Sequence, residues 1–148
     1  MEKLIIYSDG GARGNPGPAG IGIVIEIRNP NDEIRKQTIS KFIGTATNNQ
    51  AEYQAVIEAL KWVLNHFALT SEVRVGVEFF LDSQLVVEQL NGNYKLKNEG
   101  LKPLFWEIRE LIMKLGGRVS FKYIPREKNK EADKLVNKVL DEKSKNTI

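Results

Sequence analysis

At 148 residues the chain is sized for one domain with a core of its own, and 41% hydrophobic with 28% charged residues is the balance of a soluble globular fold. The absence of cysteine and the single histidine, His66, exclude disulfides, thiol nucleophiles, Cys-ligated zinc and any mechanism that needs a histidine pair. A formal charge of +3 and a pI near 9.1 permit a polyanionic partner without demanding one.

Residues 3–8 carry an apolar run that predicts a short, mostly buried strand. The run 4–7 is too short for a signal-peptide core, and no stretch approaches the roughly 20 apolar residues of a membrane span. A cytoplasmic monomer is the expectation. Residues 9–20 read as a glycine- and proline-rich loop. In residues 20–28, Ile21, Ile23, Ile25 and Ile27 alternate, which predicts a half-buried strand. Asn29-Pro30-Asn31-Asp32 signals a turn, and residues 33–43 return as a third, antiparallel strand.

The period then changes. Asn48 is the expected N-cap of a helix over residues 49–67, with Val56, Ala59, Leu60 and Val63 as its apolar stripe. Residues 73–81 alternate again through Val75, Val77, Phe79 and Leu81, and predict a strand. A short helix follows at residues 83–90 and is stopped by Asn91-Gly92-Asn93. Residues 99–115 fit a longer helix with Pro103 in its first turns and Gly116-Gly117 at its end. Residues 118–123 form a fifth strand, and residues 128–142 a last helix, with fraying beyond. No linker or repeat divides the chain, so residues 1–148 read as a single domain. Trp62 and Trp106 fall in helical patterns and are expected to pack in the core or between helix and sheet. His66, near the end of the first long helix, reads as structural.

Strands followed by helix–strand units imply a mixed α/β sheet whose first, fourth and fifth strands are parallel. Ligands in such sheets bind beyond the carboxyl ends of the parallel strands. Asp9 and Asp82 lie at such ends. Glu52 shares a helical stripe with Val56, Ala59 and Val63, so it points at the sheet. Asp133 shares one with Val136 and Leu140. Each acid alone has an ordinary reading: Asp9 as a turn residue, Glu52 as a first-turn partner of the helix dipole, Asp82 as a helix-start residue, Asp133 as a first-turn acid. Four converging carboxylates raise one another's pKa, however, which makes no sense for stability alone. Oxygen-only ligands suit magnesium or manganese, and the set points to metal-dependent phosphoryl transfer.

These residues carry a resemblance. The segment Asp9-Gly10-Gly11-Ala12-Arg13-Gly14-Asn15-Pro16-Gly17-Pro18-Ala19-Gly20 resembles the first strand and loop of the type 1 ribonucleases H, in the short form found in archaea and some bacteria. Thr47-Asn48-Asn49-Gln50-Ala51-Glu52 resembles that family's second block, Asp82-Ser83-Gln84 its third, and Asn129-Lys130-Glu131-Ala132-Asp133 its last. The blocks stand in family order over essentially the whole chain. The resemblance implies a ribonuclease H-like fold, a five-stranded mixed sheet in the order 3-2-1-4-5 with helices on both faces. It implies an endoribonuclease that hydrolyses the RNA strand of RNA–DNA hybrids with two magnesium ions, manganese being the second candidate, and leaves 5′-phosphate and 3′-hydroxyl ends. Asp9, Glu52, Asp82 and Asp133 match the metal-binding carboxylates. No protein nucleophile is then needed.

The resemblance also implies substrate contacts. Gly10, Gly11, Asn15, Asn48 and Asn49 match positions lining the minor groove, with Gln84 adjoining, and Thr47 matches a contact to the DNA-strand phosphate. For Asn48 the N-cap reading stands beside this one. Two departures matter. Larger bacterial members carry a basic helical protrusion after the third block, whereas residues 91–100 here only join two helices; Lys95 and Lys97 are candidates for a reduced phosphate contact. Family members often place a histidine in the loop before the last aspartate, and this chain has Ile124-Pro125-Arg126-Glu127. Arg126 is therefore the candidate for steadying phosphate charge. Two alternatives remain open: a module that binds hybrids without cutting, and a nuclease of the same fold acting on double-stranded RNA or DNA junctions.

Overall fold

Ile21, Ile23, Ile25 and Ile27 are buried on one side of their strand, and Gly20, Gly22 and Val24 are buried on the other. The expected half-buried strand is thus covered on both faces. The structure is a computed structural model describing residues 3–29, 31, 33–67 and 75–145. This strand, β2 (Gly17–Arg28), pairs antiparallel with β1 (Lys3–Ala12) and with β3 (Ile34–Ala46). On the other side of β1, β4 (Gly76–Leu81) is parallel to it, and β5 (Val119–Tyr123) is parallel to β4. The order is β3-β2-β1-β4-β5, as the resemblance implies.

Among the described residues four α-helices cover the sheet: α1 (Asn48–His66), α2 (Gln84–Leu90), α3 (Lys102–Lys114) and α4 (Lys130–Lys145). The stripe of α1 joins Leu4, Ile6 and the four isoleucines of β2 in one core cluster, with Val86 and Leu90 of α2 and Ile108 and Leu111 of α3. Burying each such side chain contributes about 1.5–3 kcal/mol. The opposite face is covered by α4. Glycine decides how closely: a Cβ on Gly22 would lie 2.2 Å from the Ala132 carbonyl oxygen and 2.8 Å from the Leu135 Cβ. Among the described residues no helix is long and apolar enough to cross a membrane.

Several boundaries differ from the sequence reading, each for a local reason. Most of the expected loop at residues 9–20 is strand, because Asp9 to Ala12 pair with Gly22 to Ala19, and pairing overrides the low β propensity of glycine. The parallel pairing of β1 with β4 ends at Tyr7 opposite Phe80, so β1 runs on past its neighbour. The N-cap of α1 is Thr47 rather than Asn48. Its Oγ1 accepts from the Gln50 amide (3.1 Å) while Gln50 Oε1 accepts from the Thr47 amide (2.9 Å), a reciprocal capping box. A 3-10 turn at Arg126–Lys128 delays the start of α4, which then continues past residue 142 through Lys145; residues 146–148 of the expected frayed end lie outside the described residues. Pro30 and Asp32 of the expected turn and residues 73–74 of the expected fourth strand lie outside the described residues.

Trp106 is not packed as expected. It is 63% exposed, because α3 turns Ile108 and Leu111 inward. Trp62 is half-buried and stacks on His66 with ring centroids 4.2 Å apart, and the His66 Nδ1–H donates to the Trp62 carbonyl (2.8 Å).

The Gly22 contact yields a stability prediction. Gly22→Ala forces α4 away from β2 and lowers unfolding free energy by about 1–3 kcal/mol, the usual range for overpacking. Gly76→Ala, where nothing lies within 4 Å of the new Cβ, is neutral or gains about 0.4–1 kcal/mol through the unfolded chain. Urea unfolding at constant m-value measures both; equal effects at the two positions would show that the α4 contact does not limit packing.

Candidate active site

Because β1 outruns β4, Asp9 stands beyond the end of its parallel neighbour. Asp82 directly follows Leu81, the last residue of β4. The chain turns there at once, with the Ser83 hydroxyl accepting from the Val86 amide (3.3 Å) to cap α2. Glu52 comes from α1, in its second turn rather than its first, since the helix begins at Asn48. Gly10 brings that helix in: a Cβ there would lie 2.3 Å from the Ala51 carbonyl and 2.6 Å from the Glu52 nitrogen. The result is a tight trio. One carboxylate oxygen from each of Asp9, Glu52 and Asp82 lies within 4.8 Å of the others. Asp133, in the first turn of α4, stands outside this trio but lines the same cleft of about 530 Å³.

The trio is electrostatically loaded. Burial pushes the Asp9 carboxyl up to about 7; a hydrogen bond with Glu52 opposes the shift, and the charges of Asp82 and Asp133 add to it. Burial, and then the charge of Asp9, hold Glu52 well above the usual carboxylate range. The Glu52 Oε2 is buried without a hydrogen-bond partner. A buried carboxylate oxygen facing other carboxylates has no donor to satisfy it, and a hard divalent cation is the partner that its chemistry fits.

The substrate candidates separate into two groups. Gly10, Gly11, Asn48, Asn49 and Arg126 line the cleft. Asn15, Thr47, Gln84, Lys95 and Lys97 do not. Asn48 braces rather than caps: its Oδ1 accepts from the Ala12 amide (2.8 Å), and its own amide donates to Asn15 Oδ1 (2.9 Å). Asn15 and Asn48 thereby hold the turn between β1 and β2 against the start of α1. The Thr47 hydroxyl is engaged in its cap. Gln84, Lys95 and Lys97 are exposed on α2 and on the segment after it. His66 is fourteen residues beyond Glu52 on one helix, about 21 Å at 1.5 Å per residue, and does not line the cleft.

Two residues escaped the sequence reading. Arg13 lines the cleft and pairs with Asp141 of α4. Asn129 is 2% exposed, and its Nδ2 donates to the Ser8 carbonyl (3.0 Å) and to Asp82 Oδ2 (2.9 Å). Both sit within the quoted sequence blocks, but their partners are remote in the chain, so no local spacing signals them.

The raised Asp9 carboxyl fixes the sign of a pH effect. An unfolded aspartate titrates near 3.9 and the folded one at about 7, so between those values the folded chain binds more protons. Stability from this group therefore falls as pH rises from about 4 to 7 and is level above. In chelator at pH 8, Asp9→Asn should melt about 3 °C higher than the parent, the shift that about 1 kcal/mol gives a chain of this size. The gain should shrink toward pH 4. Parallel melting-versus-pH curves for the two proteins would show that the buried charge does not bear on folding.

Known proteins place this geometry in a family. Residues 7–139 match the family described as reverse transcriptase-like. The chain is 36% identical over 139 residues to the bifunctional protein Rv2228c of Mycobacterium tuberculosis, covering 94% of this chain but only 36% of that protein. The chain thus spans about a third of this longer relative. It is 37% identical over 140 residues to ribonuclease HI of Halobacterium salinarum, covering 95% of this chain and 65% of that one. Among solved structures, LC11-RNase H1, isolated from compost by a metagenomic approach, aligns with a TM-score of 0.82 at 45% identity, over 96% of this chain and 98% of its own. That relative has also been solved in complex with an RNA/DNA hybrid. The chain belongs to the reverse transcriptase-like family and, within it, to the type 1 ribonucleases H.

Proposed function

We propose that the chain is an endoribonuclease that hydrolyses the RNA strand of RNA–DNA hybrids at the cleft past the end of the β1–β4 pairing. One observation carries the reading: three carboxylates converge within 4.8 Å, one with a buried, unpartnered oxygen, in a chain whose relative was crystallised with a hybrid. Asp9, Glu52 and Asp82 would hold divalent cations, magnesium first and manganese second, and Asp133 would complete the set from the open side of the cleft. A pair of such ions supplies Lewis-acid activation of a water and neutralises charge on the departing oxygen.

The remaining work falls to the chain itself. Gly10 and Gly11 present their backbone to the cleft, where main-chain amides can meet a nucleic-acid strand, although the bare side of Gly10 is filled by α1. At Gly11 a Cβ would meet ordinary van der Waals contact, 3.7 Å from Val136 and 4.0 Å from Asn48, and it is the Gly11 backbone that lines the cleft. Asn48 and Asn49 lie beside it and can read the 2′-hydroxyl that distinguishes RNA from DNA. Asn15 keeps Asn48 in place. Gln84 would add to the groove contacts, Thr47 would meet the DNA-strand phosphate, and Lys95 and Lys97 would supply phosphate contacts outside the cleft, where lysine acts as a point charge. Cleavage by water makes the 2′-hydroxyl a recognition group rather than the attacking one.

The deciding experiment incubates labelled RNA–DNA hybrid, double-stranded RNA, a DNA junction and duplex DNA with magnesium, manganese or chelator. The hybrid's RNA strand is cut, with 5′-phosphate and 3′-hydroxyl ends, and chelator stops the reaction. Asp82→Asn loses at least about a hundredfold of this activity, the low end for a group acting directly in chemistry, with its circular dichroism unchanged. Near-parental cleavage by that variant removes Asp82 from the site. A 2′,3′-cyclic phosphate product would mean that the 2′-hydroxyl attacks. Equal or faster cutting of double-stranded RNA would reassign the substrate.

Arg126 opens the 3-10 turn that leads into α4, is exposed, and lines the cleft. Its guanidinium stays protonated, so it cannot serve as a base, but it can steady charge on the scissile phosphate. Arg126→Ala should lower kcat more than it raises KM, and Arg126→Lys should recover only part of the loss, because the bidentate fork is gone. Kinetics of Arg126→Ala that match the parent across several pH values would return Arg126 to an ordinary surface residue.

A further inference from the structure

Asn129 stands immediately before α4, where asparagine ordinarily caps a helix through its side-chain oxygen. Here it does something else. Its backbone carbonyl accepts the Asp133 amide (3.1 Å), starting the helix, while its side chain turns away. The Nδ2 donates to the Ser8 carbonyl (3.0 Å) and to Asp82 Oδ2 (2.9 Å), and the Oδ1 is buried with no partner. The amide orientation is fixed by chemistry. Both neighbours are acceptors, and reversing the group would set oxygen against oxygen. One buried side chain, 2% exposed, thus ties β1 at Ser8, next to Asp9, the carboxylate that follows β4, and the start of the helix bearing Asp133.

A helix cap forgone and an amide oxygen left without a partner are uncommon in a folded core. They are explained if the hydrogen bond to Asp82 is what the side chain is for. We infer that Asn129 is a positioning residue for cation binding: by occupying Asp82 Oδ2 it fixes the carboxylate's rotation and reserves Oδ1 for the cation. The inference rests on the metal-dependent reading above. A carboxylate free to rotate offers several geometries to an ion, whereas one pinned through its other oxygen offers one. No carboxylate needs to change protonation for this.

The test measures manganese binding to the metal-free protein by electron paramagnetic resonance, without substrate and well below the melting temperature. The variants are Asn129→Ala and Asn129→Ser. Serine is as good a helix cap as asparagine, but one hydroxyl on a shorter side chain does not span both the Ser8 carbonyl and Asp82. Expected is manganese affinity weakened about tenfold or more in both variants, the usual effect of losing a hydrogen bond to a metal ligand. The magnesium concentration for half-maximal hybrid cleavage should rise by a similar factor, with KM for the hybrid unchanged. Should Asn129→Ala fail to fold, Asn129→Ser gives the same reading. Parental manganese affinity in either folded variant overturns the inference and leaves the metal-dependent reading standing; in Asn129→Ser alone it would mean that the residue works by starting α4. No manganese binding by the parent protein would overturn the metal-dependent reading and this inference with it.

Discussion

Two carboxylates buried side by side oppose folding. When both are ionised, Asp9 and Glu52 are acceptors that repel in a low dielectric, and only a proton held between them, as in their hydrogen bond, relieves the contact. Their approach is imposed from outside the pair. The stripe of α1, with Val56, Ala59, Leu60 and Val63 all fully buried, presses the helix onto the sheet. Gly10 removes the one side chain that would hold it off, since a Cβ there would meet the Ala51 backbone at 2.3 Å. Hydrophobic burial along the whole helix thus offsets an unfavourable contact at one of its ends. A site held together in this way gains most from a cation, because the ion relieves a strain that the core maintains.

The second half of the site depends on α4, and α4 is held differently. Its exposed ion pairs, Lys36 with Glu131 and Arg13 with Asp141, are of a kind worth about 0–1 kcal/mol each. Firmer anchorage comes from Ala132, Val136 and Leu140, all buried, from the bare backbone of Gly22 beneath them, and from the Ser40 hydroxyl donating to the Leu135 carbonyl (2.7 Å). The same helix carries Asp133 into the cleft and Asn137 to its rim. Where α1 is pressed in by the larger core cluster, α4 lies across the opposite face. Asp133 accordingly stands apart from the tight trio while its charge still reaches Asp9.

Exposed apolar groups elsewhere follow from the same layering. With Ile108 and Leu111 turned toward the core, Trp106 and Met113 emerge on the outer side of α3. The helical pattern around Trp106 was correct and its face was not, because tryptophan at one position of an amphipathic helix shifts the apparent stripe without deciding which side is buried.

Much of this molecule was legible in its sequence. Alternation in β2 and β4 and the 3.6-residue stripe of α1 are properties of local backbone geometry, so they identified the elements and pointed Glu52 inward. The placement of Asp82 at the end of β4 followed from the order of those elements, whereas Asp9, expected at a strand end, lies inside β1 and only past its parallel pairing with β4. What the sequence could not carry were contacts whose partners are far apart in the chain. The Thr47 cap displaced Asn48 because Asn48 was engaged 36 residues away by Ala12. The extension of β1 through Asp9 to Ala12 required β2 as a partner. Asn129 meets Asp82 across 47 residues, and a hydrogen bond of that reach leaves no periodicity behind. Sequence by itself determined which residue types were available and on which face of each element they lay; the tertiary structure alone decided which of them met, because that depends on how closely the glycines of β1 and β2 let the helices approach.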